Sequence, residues 1–299
     1  MSEAFAALES GIEICYETFG DARDPAMLLV MGLGGPMGWW SVDFCRNLAD
    51  RGFFVVRYDN RDTGRSTKVS PRRPLRTTAV VTTFLGSRRH AEYALDELAA
   101  DAFGLLDALS VQRAHLVGVS MGGMIVQTMA IHCPPRVVSM TSIMSTTGRR
   151  SVGWADPRLF RMLLGRSTLT RESYIERSLL TSRSIGSPGY PSADDIGRAR
   201  AIETYDRGWS PAGVARQLLA VLAQPDRTPQ LRQLDVPTLV VHGLADRLVH
   251  PSGGRATASA IPGAELLMIP GMGHDLPAQL DDTLAGAIAR TARRARAAS

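Results

Sequence analysis

The sequence predicts an α/β fold in which a mostly parallel central sheet is flanked by helices and interrupted by a helical insertion. Short apolar runs bounded by glycines or polar turns, such as 27–31 and 53–58, are typical of strands buried on both faces of a parallel sheet. Segments with the apolar spacing of a helix, such as 91–109, alternate with these runs. The strand signal then disappears over 145–233 and returns at 236–242, which indicates a helical unit inserted into the sheet.

The core is predicted to begin with a hairpin, because residues 3–8 and 12–19 alternate around a turn at 9–11. The remaining strands are expected where apolar runs lie between turn signals, and the core helices where apolar residues recur at helical spacing. The predicted strands are 27–31, 53–58, 116–119, 137–144, 236–242 and 264–269, and the predicted core helices are 39–50, 91–109, 124–131 and 276–292.

Helices without strands are predicted for the insertion, separated by Gly- and Pro-rich loops. Pro211 suits the first turn of one of them, where its missing N–H is not needed. The predicted helices are 156–164, 171–184, 193–206 and 211–223. We therefore divide the chain into a core of residues 1–144 and 234–299 and a helical cap of residues 145–233, inserted after the sixth strand.

Length and composition are those of one large domain or of a core domain that carries an insertion. The chain has 299 residues, of which 44% are hydrophobic, enough for a substantial core. The net charge of +5 comes without aromatic interleaving or a recognition motif. We therefore interpret the excess charge as solvent-exposed and expect no nucleic-acid partner. No apolar run approaches the length of about 18 residues that a membrane span needs.

The cysteines and the N-terminus favour a cytoplasmic location. Cys15, Cys45 and Cys133 cannot all pair and show neither C-x-x-C nor His-rich metal spacing, so we expect reduced thiols and no metal. Residues 1–10 lack the basic and apolar regions of a secretory signal. The sequence leaves the oligomeric state open, a homo-oligomer included.

The pattern G-x-S-x-G at 118–122 is the strongest functional signal in the chain. An apolar run precedes Ser120 and a helical run follows it, so the serine is predicted to occupy a sharp strand-to-helix turn. Such a turn requires minimal side chains two residues to either side, as Gly118 and Gly122 provide. By itself the motif also fits an ordinary glycine-rich turn; the partners found downstream favour a nucleophile.

A serine nucleophile needs a base and a group that orients the base. His274 lies on a glycine-rich loop just after the last predicted strand, and Asp246 follows the strand before it by four residues. His242 and His115 are interpreted as packed or backbone-bonded, and Asp275 as structural. Ser120, Asp246 and His274 are therefore the predicted catalytic residues.

Two backbone amides are predicted to hold the oxyanion that forms during such a reaction. The Met121 amide lies at the start of the helix after Ser120, and the Leu33 amide lies in the loop after strand 27–31. Small or apolar residues near the predicted strand ends are candidates for substrate contact, although several suit the core equally well. These candidates are Gly32, Gly34, Trp39, Met124, Met144 and Met272.

Together these motifs resemble the α/β-hydrolase superfamily. The resemblance rests on the stretches 31–35, 57–66, 118–123, 244–246 and 271–274 and on the chain order serine, acid, histidine. Within the superfamily the chain is similar to the capped actinobacterial esterases that include aclacinomycin methylesterase and the mycobacterial lipase/thioesterase-type proteins. One departure is that Met31-Gly32 stands where a His-Gly pair usually opens the oxyanion loop.

The resemblance implies a serine hydrolase that cleaves carboxylic esters or thioesters of an apolar small molecule without a cofactor. Two alternatives stay open. The same serine chemistry supports perhydrolysis of the kind attributed to cofactor-free haloperoxidases, since peroxide can attack an acyl-serine. A non-catalytic ligand-binding protein on the same fold is the other, because fold alone does not fix function.

Overall fold

A computed structural model describes residues 2–69, 77–84, 87, 89–159 and 170–297. Its centre is an eight-stranded sheet with the order β1-β2-β4-β3-β5-β6-β7-β8, in which β2 alone runs against the other strands. The strands are β1 Ala4–Ala7, β2 Glu13–Phe19, β3 Ala26–Val30, β4 Phe54–Tyr58, β5 Ala114–Val119, β6 Val137–Ile143, β7 Thr238–Gly243 and β8 Glu265–Ile269. The predicted hairpin and mostly parallel sheet are confirmed.

Helices cover both faces of this sheet, which explains why β3 to β7 read as nearly continuous apolar runs. One hydrophobic cluster joins one face to the helices at 95–108 and 121–132, and a second joins the other face to the helices at 42–49 and 281–297. The central strands β3 and β5 contribute alternate side chains to the two clusters. The core helices are α1 Val42–Ala49, α2 Thr77–Phe84, α3 Leu95–Ala108, α4 Met121–His132, α9 Ser252–Ala260 and α10 Asp281–Ala297.

The segment between β6 and β7 contains only helices and loops among its described residues. These helices are α5 Arg171–Ile185, α6 Asp194–Asp206, α7 Pro211–Ala223 and α8 Thr228–Leu231. The long α5 and α6 pack against each other, and α7 packs against α2. Residues 160–164, the second half of the helix predicted at 156–164, lie outside the described residues. The insertion therefore follows the sixth strand, as predicted.

Three core helices begin later than predicted, and two of them have an identifiable cause; the third, predicted from residue 91, begins at Leu95. The helix predicted from residue 39 begins at Val42, because the Ser41 hydroxyl accepts the Phe44 N–H at 3.0 Å and caps it there. The helix predicted from residue 276 begins at Asp281, after Pro277 and a single 3₁₀ turn. Apolar spacing continued across both starts, so it could not locate them.

Among the helices of the described residues, none combines the length and apolar character that a bilayer crossing requires. All three cysteines are unpaired, and burial raises the pKa of the Cys15 and Cys45 thiols to about 12. A thiol that stays protonated is a poor nucleophile, so these two residues are core fillers.

Candidate active site

The parallel strands bring the predicted functional loops to one edge of the sheet. β3, β4, β5, β7 and β8 are followed in turn by the stretches 31–35, 59–66, Ser120, Asp246 and 271–274. Because parallel strands end at the same edge, residues more than a hundred positions apart become neighbours there.

Ser120 occupies the sharp turn between β5 and α4. Its backbone angles are φ 56° and ψ −117°, a region that side chains other than glycine rarely adopt. The Ser145 hydroxyl donates to the Ser120 carbonyl at 2.8 Å and helps to hold this conformation.

Glycines on both sides of Ser120 are required by packing. A Cβ at Gly118 would collide with the Gly122 carbonyl, and a Cβ at Gly122 would collide with the Val30 carbonyl. A Cβ at Gly32 would lie 3.1 Å from the Ser120 Cβ, so the loop after β3 passes directly beside the serine. The G-x-S-x-G spacing therefore reflects close backbone packing around the turn.

A continuous chain of hydrogen bonds joins the three predicted catalytic residues. The Ser120 Oγ lies 3.0 Å from the His274 Nε2, and the His274 Nδ1 lies 2.8 Å from the Asp246 Oδ2. A carboxylate at Nδ1 fixes the proton on that nitrogen, which leaves Nε2 free to accept the serine proton. The geometry suits the transfer of a proton from serine to imidazole.

Asp246 is held as an anion. Burial opposes ionisation, but the charge of His274 and hydrogen bonds from His242 and His274 outweigh it and hold the pKa well below its usual range. The amides of Leu248 and Val249 each donate to Oδ1 at 2.9 Å. Asp246 can therefore orient His274 without taking up its proton.

His242 is the contact that sequence reasoning missed. It is fully buried, its Nε2 lies 2.8 Å from the Val249 carbonyl, and the same nitrogen lies 3.3 Å from Asp246 Oδ2. His242 is bonded to the backbone, as expected, and it also contacts the Asp246 carboxylate. The sequence shows the spacing of four residues between His242 and Asp246. It does not show that the turn between them brings the two side chains together.

Two unused backbone donors lie next to Ser120. The amides of Leu33 and Met121 form no hydrogen bond within the described residues, and Met121 is the first residue of α4, where the helix itself offers no acceptor. The partial positive charge of the α4 N-terminus adds to the Met121 donor. Both amides are available to a negatively charged oxygen beside the serine.

The turn after β4 anchors the insertion to the core. The Arg207 guanidinium donates to the Asp59 carboxylate at 2.7 Å, and the Arg216 guanidinium contacts both Asp62 oxygens at 2.7 and 2.8 Å. Tyr93 adds a hydrogen bond to Asp62 at 2.7 Å. Burial opposes ionisation of Asp62, but these bonds outweigh it and lower its pKa. The acids of this turn therefore hold the insertion against the core.

Gln217 of α7 connects that anchor to the loop beside Ser120. Its Oε1 accepts the Gly34 N–H at 2.8 Å, while its Nε2 donates to the Arg61 carbonyl at 2.8 Å and the Thr63 hydroxyl at 2.9 Å. Gly34 adjoins Leu33, whose amide is one of the two unused donors. The insertion therefore fixes the position of a predicted oxyanion donor. We call Asp59, Asp62, Arg207, Arg216 and Gln217 the cap joint.

A second contact from the insertion holds the histidine loop. The Ile185 carbonyl accepts the His274 N–H at 2.7 Å, and the Ser187 hydroxyl accepts the Gly273 N–H at 2.8 Å. Ser187 also bonds the Asp275 carboxylate, which gives Asp275 the structural role expected of it. These loop residues carried no sequence signal, because their partners are backbone groups.

The candidate substrate-contact residues fall into two groups. Gly32 and Gly34 lie in the loop beside Ser120, and the Trp39 indole N–H donates to the Thr204 hydroxyl of α6 at 3.0 Å. Met124, Met144 and Met272 are buried in the hydrophobic clusters, as their alternative core interpretation describes. Contact of any of the six with substrate stays a prediction. Within the described residues no three His, Cys, Asp or Glu side chains are grouped to hold a metal ion.

Comparison with known proteins assigns the family. Residues 25–279 match the model of the alpha/beta hydrolase fold family. The chain is 31% identical to the rhodomycin D methylesterase DauP of Streptomyces sp. (strain C5), over 95% of this chain and 96% of that one. It is 29% identical to the rhodomycin D methylesterase DnrP of Streptomyces peucetius, with the same two coverages. The chain belongs to the α/β-hydrolase fold family.

Solved structures give the same fold. The enol-lactonase of Burkholderia xenovorans LB400 aligns with a TM-score of 0.75 at 21% identity, over 96% of this chain and 99% of that one. A hydrolase of Pseudomonas aeruginosa PA01 aligns with a TM-score of 0.72 at 24% identity, over 97% of both chains. At these identities the likeness establishes the fold alone.

Proposed function

We propose that the protein is a serine hydrolase that cleaves carboxylic esters through an acyl-serine intermediate. The observation that carries the proposal is the hydrogen-bonded chain Ser120–His274–Asp246, at 3.0 and 2.8 Å, beside two backbone amides that have no acceptor among the described residues. The methylesterase names of its relatives support ester hydrolysis, with methyl esters as the first substrates to examine.

In the first half of the reaction, Ser120 Oγ attacks the ester carbonyl carbon while His274 Nε2 accepts the serine proton. The carbonyl oxygen becomes negative and is held by the N–H groups of Leu33 and Met121. Asp246 stabilises the positive imidazolium. The tetrahedral intermediate then collapses, the bond to the alcohol oxygen breaks, and the alcohol leaves with the proton from His274.

In the second half, water replaces the alcohol. His274 accepts a proton from the water as its oxygen attacks the acyl carbon, and the two amides again hold the negative oxygen. When the bond to Ser120 breaks, the serine oxygen recovers a proton from His274. The products are one carboxylic acid and one alcohol, and the enzyme returns to its starting state.

Residues 145–233 serve as a cap that limits which esters reach Ser120. A cavity of about 270 Å³ lies between α6 and the core, with Trp39, Phe44 and Leu276 among its walls. Leu276 belongs to the loop that carries His274, so this cavity lies where the cap, the core and the histidine loop meet.

The test is hydrolysis of rhodomycin D and of p-nitrophenyl acetate by the wild type and by Ser120→Ala. The variant is expected to lose a factor of roughly 10⁵–10⁶ in kcat, the usual consequence of removing a serine nucleophile. Ser10→Ala, in the exposed turn between β1 and β2, is the matched control and should retain full activity. Undiminished turnover by Ser120→Ala would refute the mechanism. If the wild type hydrolyses p-nitrophenyl acetate but not rhodomycin D, the mechanism stands and rhodomycin D is excluded as a substrate.

A further inference from the structure

A second cleft, of about 530 Å³, lies beside the loop that carries Asp246. Its walls come from the end of α5, from residues 244–247 and from the start of α9. Of the described residues that line it, Asp246 alone belongs to the catalytic chain, so the hydrolytic mechanism leaves the cleft unused.

The polar side chains of this cleft are mainly cationic. Arg183, Arg247 and Arg255 line it together with His250, and Asp246 is the one carboxylate among its described lining residues. Both Asp246 oxygens are already bonded, one to backbone amides and the other to histidine. Hydrogen-bond donors therefore dominate the lining, and its one carboxylate has no unbonded oxygen to offer them.

Two of the three arginines already have ion-pair partners, and these partners would compete only weakly with an anion bound in the cleft. Arg183 pairs with Asp194 and Arg247 with Asp156, each at 2.7 Å, in ion pairs exposed to solvent. Exposed pairs of this kind add little stability, because water screens them. The Arg255 side chain has no hydrogen bond or ion pair to the described part of the chain.

His250 adds a fixed donor to this wall. The Ser252 N–H donates to the His250 Nδ1 at 3.2 Å, which leaves Nε2 to carry the ring proton. The ring stacks on Trp154 with centroids 4.7 Å apart, so its orientation is held. Pro251, at the start of the nine-residue helix α9, also lines the cleft, so the positive end of that helix lies at its edge.

We propose that this cleft binds a phosphate group, and a diphosphate in preference to a single carboxylate. Guanidinium groups match the oxygens of phosphate with paired N–H donors. A diphosphate carries enough charge and acceptor oxygens to contact several arginines across one cleft, whereas a carboxylate engages one.

Two sources can supply this chemistry. One is a free phosphate compound. The other is the phosphates of an acyl-coenzyme A, which rests on the proposed hydrolase function and on thioesters being among its substrates. In the second case the cleft would hold the coenzyme portion of the substrate while the acyl group reaches Ser120.

The test is calorimetric titration of the full chain with pyrophosphate at low ionic strength, where such contacts are least screened. Saturable binding is expected. The double variant Arg183→Gln/Arg255→Gln should weaken binding by about tenfold or more, the effect of losing one charge-assisted contact of ordinary strength. Arg198→Gln on α6 removes the same charge outside the cleft and should bind like the wild type.

Acetyl-coenzyme A hydrolysis distinguishes the sources. A higher KM for acetyl-coenzyme A in the double variant, with an unchanged KM for p-nitrophenyl acetate, assigns the site to the coenzyme. An unchanged KM for both, with weaker pyrophosphate binding, assigns it to a free phosphate compound. Absence of saturable pyrophosphate binding, or equal binding by the double variant, would overturn the proposal. The titration needs no hydrolysis, so failure of the proposed function leaves it valid.

Discussion

Two networks of buried polar groups lie at the same edge of the sheet, one in the cap joint and one around Ser120. They differ in whether all of their donors and acceptors form hydrogen bonds. In the cap joint, every carboxylate oxygen of Asp59 and Asp62 accepts a hydrogen bond from within the chain. Around Ser120, two backbone donors have no acceptor within the described residues. Unused donors beside a hydrogen-bonded serine indicate chemistry, whereas fully bonded carboxylates with no nucleophile among their partners indicate architecture.

Among variants that keep Ser120, the largest expected effect comes from Asp246→Asn in the network around Ser120. An amide accepts or donates at His274 Nδ1 without fixing the productive tautomer, so kcat is expected to fall by about 10⁴-fold. Steady-state kinetics on p-nitrophenyl acetate measures the change, and the unfolding midpoint shows whether the variant stays folded. A loss of less than tenfold would show that Asp246 does not orient the base.

In the cap joint, Arg216→Met is expected to cost stability. It leaves the buried Asp62 carboxylate without its bidentate partner, and breaking a buried ion pair in this way costs about 3–5 kcal/mol. Urea denaturation measures the free energy of unfolding.

Adding Asp62→Asn to Arg216→Met provides the matched control. Asp62 has φ 69°, a conformation that asparagine tolerates, and the neutral amide can accept the Val69 N–H through its oxygen while its NH2 group donates to the Tyr93 hydroxyl. The double variant should recover much of the loss. If it is as unstable as the single variant, an unpaired charge is not the cause.

The core and the hydrogen-bonded chain Ser120–His274–Asp246 could be predicted from sequence because their signals are local. Gly118 and Gly122 around Ser120 follow from backbone crowding within one turn, and the glycines around His274 mark a loop. The cap joint could not be predicted, since Arg216 lies in no motif and pairs with Asp62 only after α7 has docked. Helix starts at Val42 and Asp281 depended on a serine cap and a proline, which apolar periodicity does not register.

Gln217→Leu tests whether the two networks communicate. Without its Oε1 the Gly34 N–H loses its acceptor, the Leu33 amide beside it is less firmly placed, and kcat is expected to fall by roughly tenfold, less than the loss of a donor itself. KM should change less than kcat, because the substrate pocket is untouched. Gln217→Glu, which retains an acceptor for Gly34, should keep more activity. Equal kcat values for the wild type, Gln217→Leu and Gln217→Glu would show that the cap joint does not influence the reaction at Ser120.

The smallest expected effect is the response of the cap joint to mild acid. Because the pKa of Asp62 is lowered by folding, its stabilisation is complete above about pH 4 and is lost only as the pH falls through the lower folded value. The difference in unfolding free energy between wild type and Asp62→Asn should agree at pH 7 and pH 5 to within about 0.5 kcal/mol. A larger change would show that a group in the cap joint titrates between pH 7 and pH 5.

Labelling with a fluorophosphonate tests the reactivity of Ser120 most directly, because the reagent forms a stable bond with an activated serine. Mass spectrometry of the digested protein should find one adduct per chain, on the peptide that contains Ser120, and His274→Ala should abolish it. An unlabelled wild-type protein, or an adduct on a different serine, would contradict the assignment of Ser120 as the nucleophile.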